Sequence, residues 1–207
     1  MNGMRETSRK LMLGMALVLF YSTAQAASTI EQAKSYASGL GQQVLDILGE
    51  KTTSDNEKQN RLRAMFQQNV DVDWIGKFVL GRNWRMATPQ QQQEYLNYYG
   101  KFLINNYTSK FKNYTGETFD ITHALDNGNG EYVISMEIIR PKEPKVLVDY
   151  RVRNTPGGFR IYDIVVEGVS LINTQRSEFS SVVNRKGLDA LIEMLAKKVA
   201  AQETASS

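Results

Sequence analysis

Residues 119–139, FDITHALDNGNGEYVISMEII, and 146–168, VLVDYRVRNTPGGFRIYDIVVEG, decide the fold. Phe119, Ile121, His123 and Leu125 fall at every second position, the period at which side chains share one face of a strand. Asn127-Gly128-Asn129-Gly130 follows, and these residue types tolerate the positive φ that a tight hairpin needs. Tyr132 to Ile139 gives a second strand, ended by Pro141 and Pro144. In the third, Val146, Val148, Tyr150 and Val152 alternate with Leu147, Asp149, Arg151 and Arg153, so one face is wet. Pro156-Gly157-Gly158 makes another turn, and Phe159 to Glu167 is the fourth strand. Connections this short join antiparallel neighbours, because parallel strands need long crossovers. The expectation is a four-stranded antiparallel meander.

Helical spacing flanks this sheet on both sides. Before it, Ala27 to Gly49 carries Ile30, Ala33, Ala37, Leu40, Val44 and Ile47, and Asn56 to Asn69 carries Leu62, Met65 and Phe66. Asp71 or Asp73 can cap a third helix with Trp74, Ile75, Phe78 and Val79, ended by Gly81. Thr88-Pro89 is a helix start, a capping residue before Pro at the first helical position. That helix is expected to reach about Asn113, with a stripe of Tyr95, Tyr99, Phe102, Leu103, Tyr107 and Phe111. After Gly168 the spacing returns with Val169, Ile172, Phe179 and Val183, then Leu188, Leu191, Ile192 and Leu195. The class is α+β, with helices first, then the sheet, then helices that return to cover it.

The ends read differently. Arg5, Arg9 and Lys10 precede an apolar run from Leu11 to Tyr21, and Ala24-Gln25-Ala26 fits a small-residue cleavage site. That order is expected of a cleaved secretory signal over residues 1–26, and the run is too short for a membrane span. One folded domain is then expected over 27–199, with 200–207 a frayed tail. Without Arg5, Arg9, Lys10 and Glu6, the chain keeps 22 basic against 21 acidic residues, so its charge makes no case for nucleic acid. The chain has no cysteine, which excludes disulfides, thiol catalysis and zinc–thiolate sites.

Catalytic signatures are scarce. There is no phosphate-binding Walker loop, no dinucleotide fingerprint and no nucleophile elbow. His123 is the only histidine, so a two-histidine metal site within one chain is excluded, and no metal is expected. Asp163, among Phe159, Ile161 and Val165, supports two readings. It pairs with an arginine or caps backbone groups, or it points into an apolar cone and serves as the general base of a small-molecule enzyme.

The stretch Val70-Asp71-Val72-Asp73-Trp74-Ile75-Gly76-Lys77-Phe78-Val79-Leu80-Gly81-Arg82-Asn83-Trp84-Arg85 resembles a family signature: an apolar/Asp start, V-L-G, two residues, then W-R. Ala87-Thr88-Pro89-Gln90-Gln91 continues it. Ile161-Tyr162-Asp163-Ile164-Val165-Val166-Glu167-Gly168-Val169-Ser170-Leu171 is similar to the same family's most distinctive segment, followed by Arg176, Phe179 and Gly187-Leu188-Asp189. The resemblance, from about Met65 to Leu195, is to the MlaC (toluene-tolerance auxiliary) family. The chain departs from it where Gln90 to Gln93 replace a motif that usually carries an arginine.

The resemblance implies a curved sheet of the nuclear-transport-factor-2-like (NTF2-like) kind with an apolar cavity against the helices. The implied cargo is a glycerophospholipid with buried tails, held by a periplasmic, non-enzymatic, monomeric carrier that needs no cofactor. The implied partners are an outer-membrane lipoprotein–porin complex and an inner-membrane ABC transporter complex, between which the lipid is shuttled to maintain outer-membrane asymmetry. By face and motif, the lipid-binding candidates are Phe78, Val79, Tyr99, Phe102, Leu103, Tyr107, Met136, Val148, Tyr150, Ile164, Val166 and Val169, with Arg176 a candidate for the head group.

Overall fold

The computed structural model describes residues 29–108 and 114–204. The expected signal over 1–26, Phe111 and the expected helix end near Asn113 lie outside them. Helix α1 covers 29–49. It is followed by α2 (Asp55–Asn69), α3 (Val72–Leu80), α4 (Arg82–Met86) and α5 (Pro89–Thr108). Strands β1 (Thr118–Gly128), β2 (Glu131–Ile139), β3 (Val146–Thr155), β4 (Gly158–Val166) and β5 (Val169–Ser170) come next, then α6 (Leu171–Lys186) and α7 (Leu188–Thr204).

Capping fixes where the helices begin. The Ser54 side chain accepts from the Glu57 amide at the start of α2. At α5, Gln91 N–H donates to Thr88 Oγ1 at 3.2 Å while Thr88 N–H donates to Gln91 Oε1 at 3.0 Å, a reciprocal capping box. Asp71 caps α3 by accepting from Trp74 N–H at 3.2 Å, and its other oxygen accepts from Arg153 Nε at 3.1 Å. The Arg153 guanidinium lies 4.6 Å from the Trp74 ring centroid, so the start of α3 is tied to β3 by charge and by stacking. Beyond Gly81 the chain makes the short α4, which the spacing did not suggest. α7 continues to Thr204, five residues into the stretch expected to fray, because Val199 is buried and anchors the last turns.

The sheet is antiparallel in the order β1-β2-β3-β4-β5. Asn129 and Gly130, with φ of 55° and 74°, form the two-residue turn between β1 and β2. The fifth strand was not expected. Glu167 and Gly168, at φ 48° and 78°, turn the chain so that Val169 pairs with Val166, and the helix starts only after Ser170, which caps it.

Besides a register shift between Asp126 and Gly128 at the hairpin, two bulges within the strands set the faces of the sheet. In β1, Ile121 pairs with Met136 but His123 pairs with Ser135, so Thr122 is an extra residue. Ala124 therefore packs against the core in place of His123 and Leu125, which are exposed, contrary to the simple alternation. In β4, Val152 pairs with Ile161 and Arg151 with Asp163, leaving Tyr162 extra. A bulge bends its strand, and two of them curve this sheet.

Candidate functional site

The concave side of the sheet does not close completely on the helices. A cavity of about 440 Å³ lies between α1, α2, the C-terminal end of α5 and strands β1 to β4. α1 contributes Leu40, Val44, Leu45 and Leu48, α2 contributes Leu62, Met65 and Phe66, and the sheet contributes Phe119, Met136, Ile138, Val148, Tyr150, Ile161, Ile164 and Val166. Register explains the grouping, since Met136 pairs with Val148, Val148 with Val166, and Tyr150 with Ile164. The bulge at Tyr162 lets Ile161 and Ile164, three apart, both reach the cavity.

Polar groups are few. Glu117 is the only charged residue in the lining among the described residues. Burial pushes its carboxyl up, but the Thr115 amide at 2.8 Å and the Thr115 hydroxyl at 3.0 Å outweigh it and hold the group below its ordinary range. Tyr36 ties α1 to α2, its hydroxyl donating to Asn69 O and Oδ1 at 3.2 and 3.1 Å. Burial pushes the Tyr107 hydroxyl up to about 12, with repulsion from Asp163 adding to it, and burial likewise raises Tyr150. Tyr107 and Tyr150 are therefore neutral at physiological pH.

Of the twelve residues proposed from the sequence, Tyr107, Met136, Val148, Tyr150, Ile164 and Val166 line this cavity. The other six lie elsewhere. Val79, Tyr99 and Leu103 are buried in packing among helices, where Tyr99 donates to Gln175 Oε1 at 2.6 Å and meets Phe179 edge-on. Gly76 permits that approach: a Cβ there would stand 2.9 Å from Tyr99 Cδ1. Phe102 lies under the Lys198 ammonium, Phe78 stacks on Trp74 at 5.2 Å, and Val169 is exposed. The physical reason is that α5 gives most of its aromatic stripe to α3, α6 and α7, and only its last turn reaches the cavity. Arg176 does not stand at the cavity. Its guanidinium lies 4.8 Å from the Phe78 ring centroid and against Gly81.

Sequence reasoning missed the α1 and α2 walls. Leu45 and Leu48, added to Leu40 and Val44, widen the apolar stripe of α1 beyond what one packing face needs, and that was the available signal. Asp163 is fully buried, but away from the cavity lining. It accepts from Ser170 Oγ at 2.7 Å, from Arg151 Nη1 at 3.3 Å and from the Ile172 amide at 3.3 Å, and so joins β3, β4 and the first turn of α6. The pairing-and-capping reading accounts for all of these contacts.

A curved antiparallel sheet wrapped against helices around an apolar cavity is an α+β domain that encloses a ligand-sized apolar space. Within that class, the family model described as "MlaC protein" matches residues 39–197, and the chain belongs to this family. It is 23% identical over 188 residues to the intermembrane phospholipid transport system binding protein MlaC of Haemophilus influenzae, covering 85% of this chain and 88% of that one. It is 24% identical over 157 residues to toluene tolerance protein ttg2D of Pseudomonas putida, covering 74% and 73%. Among solved structures, a phospholipid-binding protein from Ralstonia solanacearum in complex with a phospholipid shares the fold, with a TM-score of 0.71 and 23% identity over 83% of this chain and 98% of that one. No helix among the described residues is long and apolar enough to cross a membrane.

Proposed function

We propose that this chain is a periplasmic phospholipid carrier, exported by a cleaved signal, that takes glycerophospholipid by its acyl tails and moves it between an outer-membrane lipoprotein–porin complex and an inner-membrane ABC transporter. The observation that carries the proposal is the cavity: about 440 Å³, walled by aliphatic and aromatic side chains, with no cation among its described lining residues. Its volume is in the range of small-molecule sites. Membership of the MlaC family and the fold shared with a phospholipid-bound protein support the same cargo.

Two tails hold about thirty methylenes, each favouring burial by ~0.8 kcal/mol, or on the order of 25 kcal/mol in all. That exceeds the practical affinity ceiling of ~18–21 kcal/mol before ordering costs are taken off. Binding is then tight and slow to release, and a partner that opens the cavity or accepts the tails sets the release rate. The rival reading, an enzyme with Asp163 as general base, is disfavoured because that carboxylate is engaged by three donors away from the cavity.

Native mass spectrometry of the mature protein, purified from the periplasm without detergent, tests the proposal. A polypeptide beginning at Ala27 with a mass excess of one phospholipid is expected. A clean unliganded mass that persists after incubation with liposomes would overturn it.

A further inference from the structure

A second cleft, of about 310 Å³, shares no lining residue with the apolar cavity. Leu80, Gly81, Arg82 and Asn83 line it from the α3–α4 turn, and Arg176, Ser180 and Asn184 from α6. The α6 residues are spaced by four, so they form one stripe facing the turn. Gly81 sits at φ 60°, and a Cβ on it would stand 3.2 Å from Arg176 Nη2, so the turn leaves room for the guanidinium to lie against it. Neither Arg82 nor Arg176 has a carboxylate within ion-pairing distance among the described residues. Arg82 Nη2 reaches only Asn184 Oδ1, at 3.4 Å. Asn83 is 6% exposed and its side chain borders the cleft.

We propose that this cleft receives an acidic side chain of a protein partner, held by the Arg176 and Arg82 guanidinium groups with the Asn83 amide as a further donor. Two planar cations with free donors match a carboxylate, which they can grip in a two-pronged fashion. Five of the seven residues lining the cleft carry polar or charged side chains, against the mostly apolar lining of the cavity, so it is suited to a polar side chain rather than an acyl tail. Separation of the two linings leaves the cargo in place while the partner docks. This inference rests on the carrier reading for its reason why a partner docks at all.

The test is an NMR titration of the lipid-loaded protein, at constant ionic strength, with acetylated tetra-glutamate amide, its tetra-glutamine counterpart and inorganic phosphate. Saturable shifts at Gly81, Asn83 and Ser180 are expected with tetra-glutamate alone, weakened about tenfold in Arg176→Gln and in the exposed-site variant Arg82→Gln. Phosphate binding more tightly than tetra-glutamate would overturn the acidic-side-chain assignment. No saturable shift, or shifts that both variants leave unchanged, would overturn the site. Native mass of the same samples reads the lipid separately: variants that lose peptide binding but keep lipid leave the carrier reading standing, and lipid-free protein fails that reading whatever the cleft does.

Discussion

The ring of Phe119 occupies the space that a side chain on Gly41 would take. A Cβ there would lie 2.7 Å from Phe119 Cε1 and 2.8 Å from Cζ. The first helix and the first strand thus meet at the edge of the cavity through one aromatic ring and a missing methyl group. Gly41→Ala should gain helix propensity of about 1 kcal/mol and lose more to overpacking, about 1–3 kcal/mol. In a Phe119→Ala background the same substitution should turn neutral or stabilising. Urea midpoints of the four proteins measure the coupling, and strict additivity would show that the contact is not made.

Asp163→Asn should destabilise the protein without emptying the cavity. Removing the charge weakens its grip on Ser170, Arg151 and the α6 amide. Breaking a buried pair costs about 3–5 kcal/mol; because Arg151 is partly exposed, about 2–3 kcal/mol is expected here. Thermal unfolding together with native mass checks both halves. An unchanged melting temperature accompanied by a lost enzymatic turnover would restore the general-base reading.

Alkaline pH should unfold the protein earlier than an unperturbed titration of its tyrosines would. Burial pushes Tyr36, Tyr107 and Tyr162 up to about 12 from an ordinary value near 10. The folded state holds these protons more tightly than the unfolded one, so their contribution is intact below pH 10 and is lost as pH rises from about 10 to 12. Denaturant midpoints across that window should fall, and Tyr36→Phe should flatten the slope.

Filling the cavity should remove cargo, whereas enlarging a side chain elsewhere in the core should not do so selectively. Ile164→Trp is expected to cut co-purified phospholipid several-fold in a protein that still folds. Val79→Trp, placed in fully occupied helix packing, should cost about 1–3 kcal/mol of stability instead. Lipid content per folded protein decides between them.

Head-group preference should be weak, because no cation lines the cavity among the described residues. Exchange from vesicles of zwitterionic and anionic phospholipids with matched tails is expected to differ by no more than a few-fold. A strict preference for one head group would require a polar site the cavity does not display.

The sheet was legible because its turns announce themselves: Asn129-Gly130 and Pro156-Gly157 leave one way for the strands to return. The bulges were not legible. Thr122 and Tyr162 each add a residue that a period of two has no means to absorb, so strict alternation puts His123 and Leu125 on the core face and groups Asp163 with Ile161. The strand face of the cavity follows from period two because Met136, Val148, Tyr150, Ile164 and Val166 lie where pairing registers are regular. On the helix side, Tyr99 and Leu103 pack against other helices rather than the cavity. An aromatic stripe looks the same from sequence whether it faces a void or another helix, and which one it meets is settled by long-range packing.

The bulge at Thr122 sits on β1, which no other strand among the described residues covers on its outer side. An eleven-residue open edge is a template on which a second chain could build, and repeated pairing of that kind leads to aggregates. The extra residue twists the ladder midway, while Asp120 and Asp126 put charge along it. At the opposite margin, β5 and the bridge from Val70 to Ile161 cover β4. One inserted threonine therefore interrupts an open edge as well as bending its sheet, and deleting Thr122 should raise light scattering at high protein concentration.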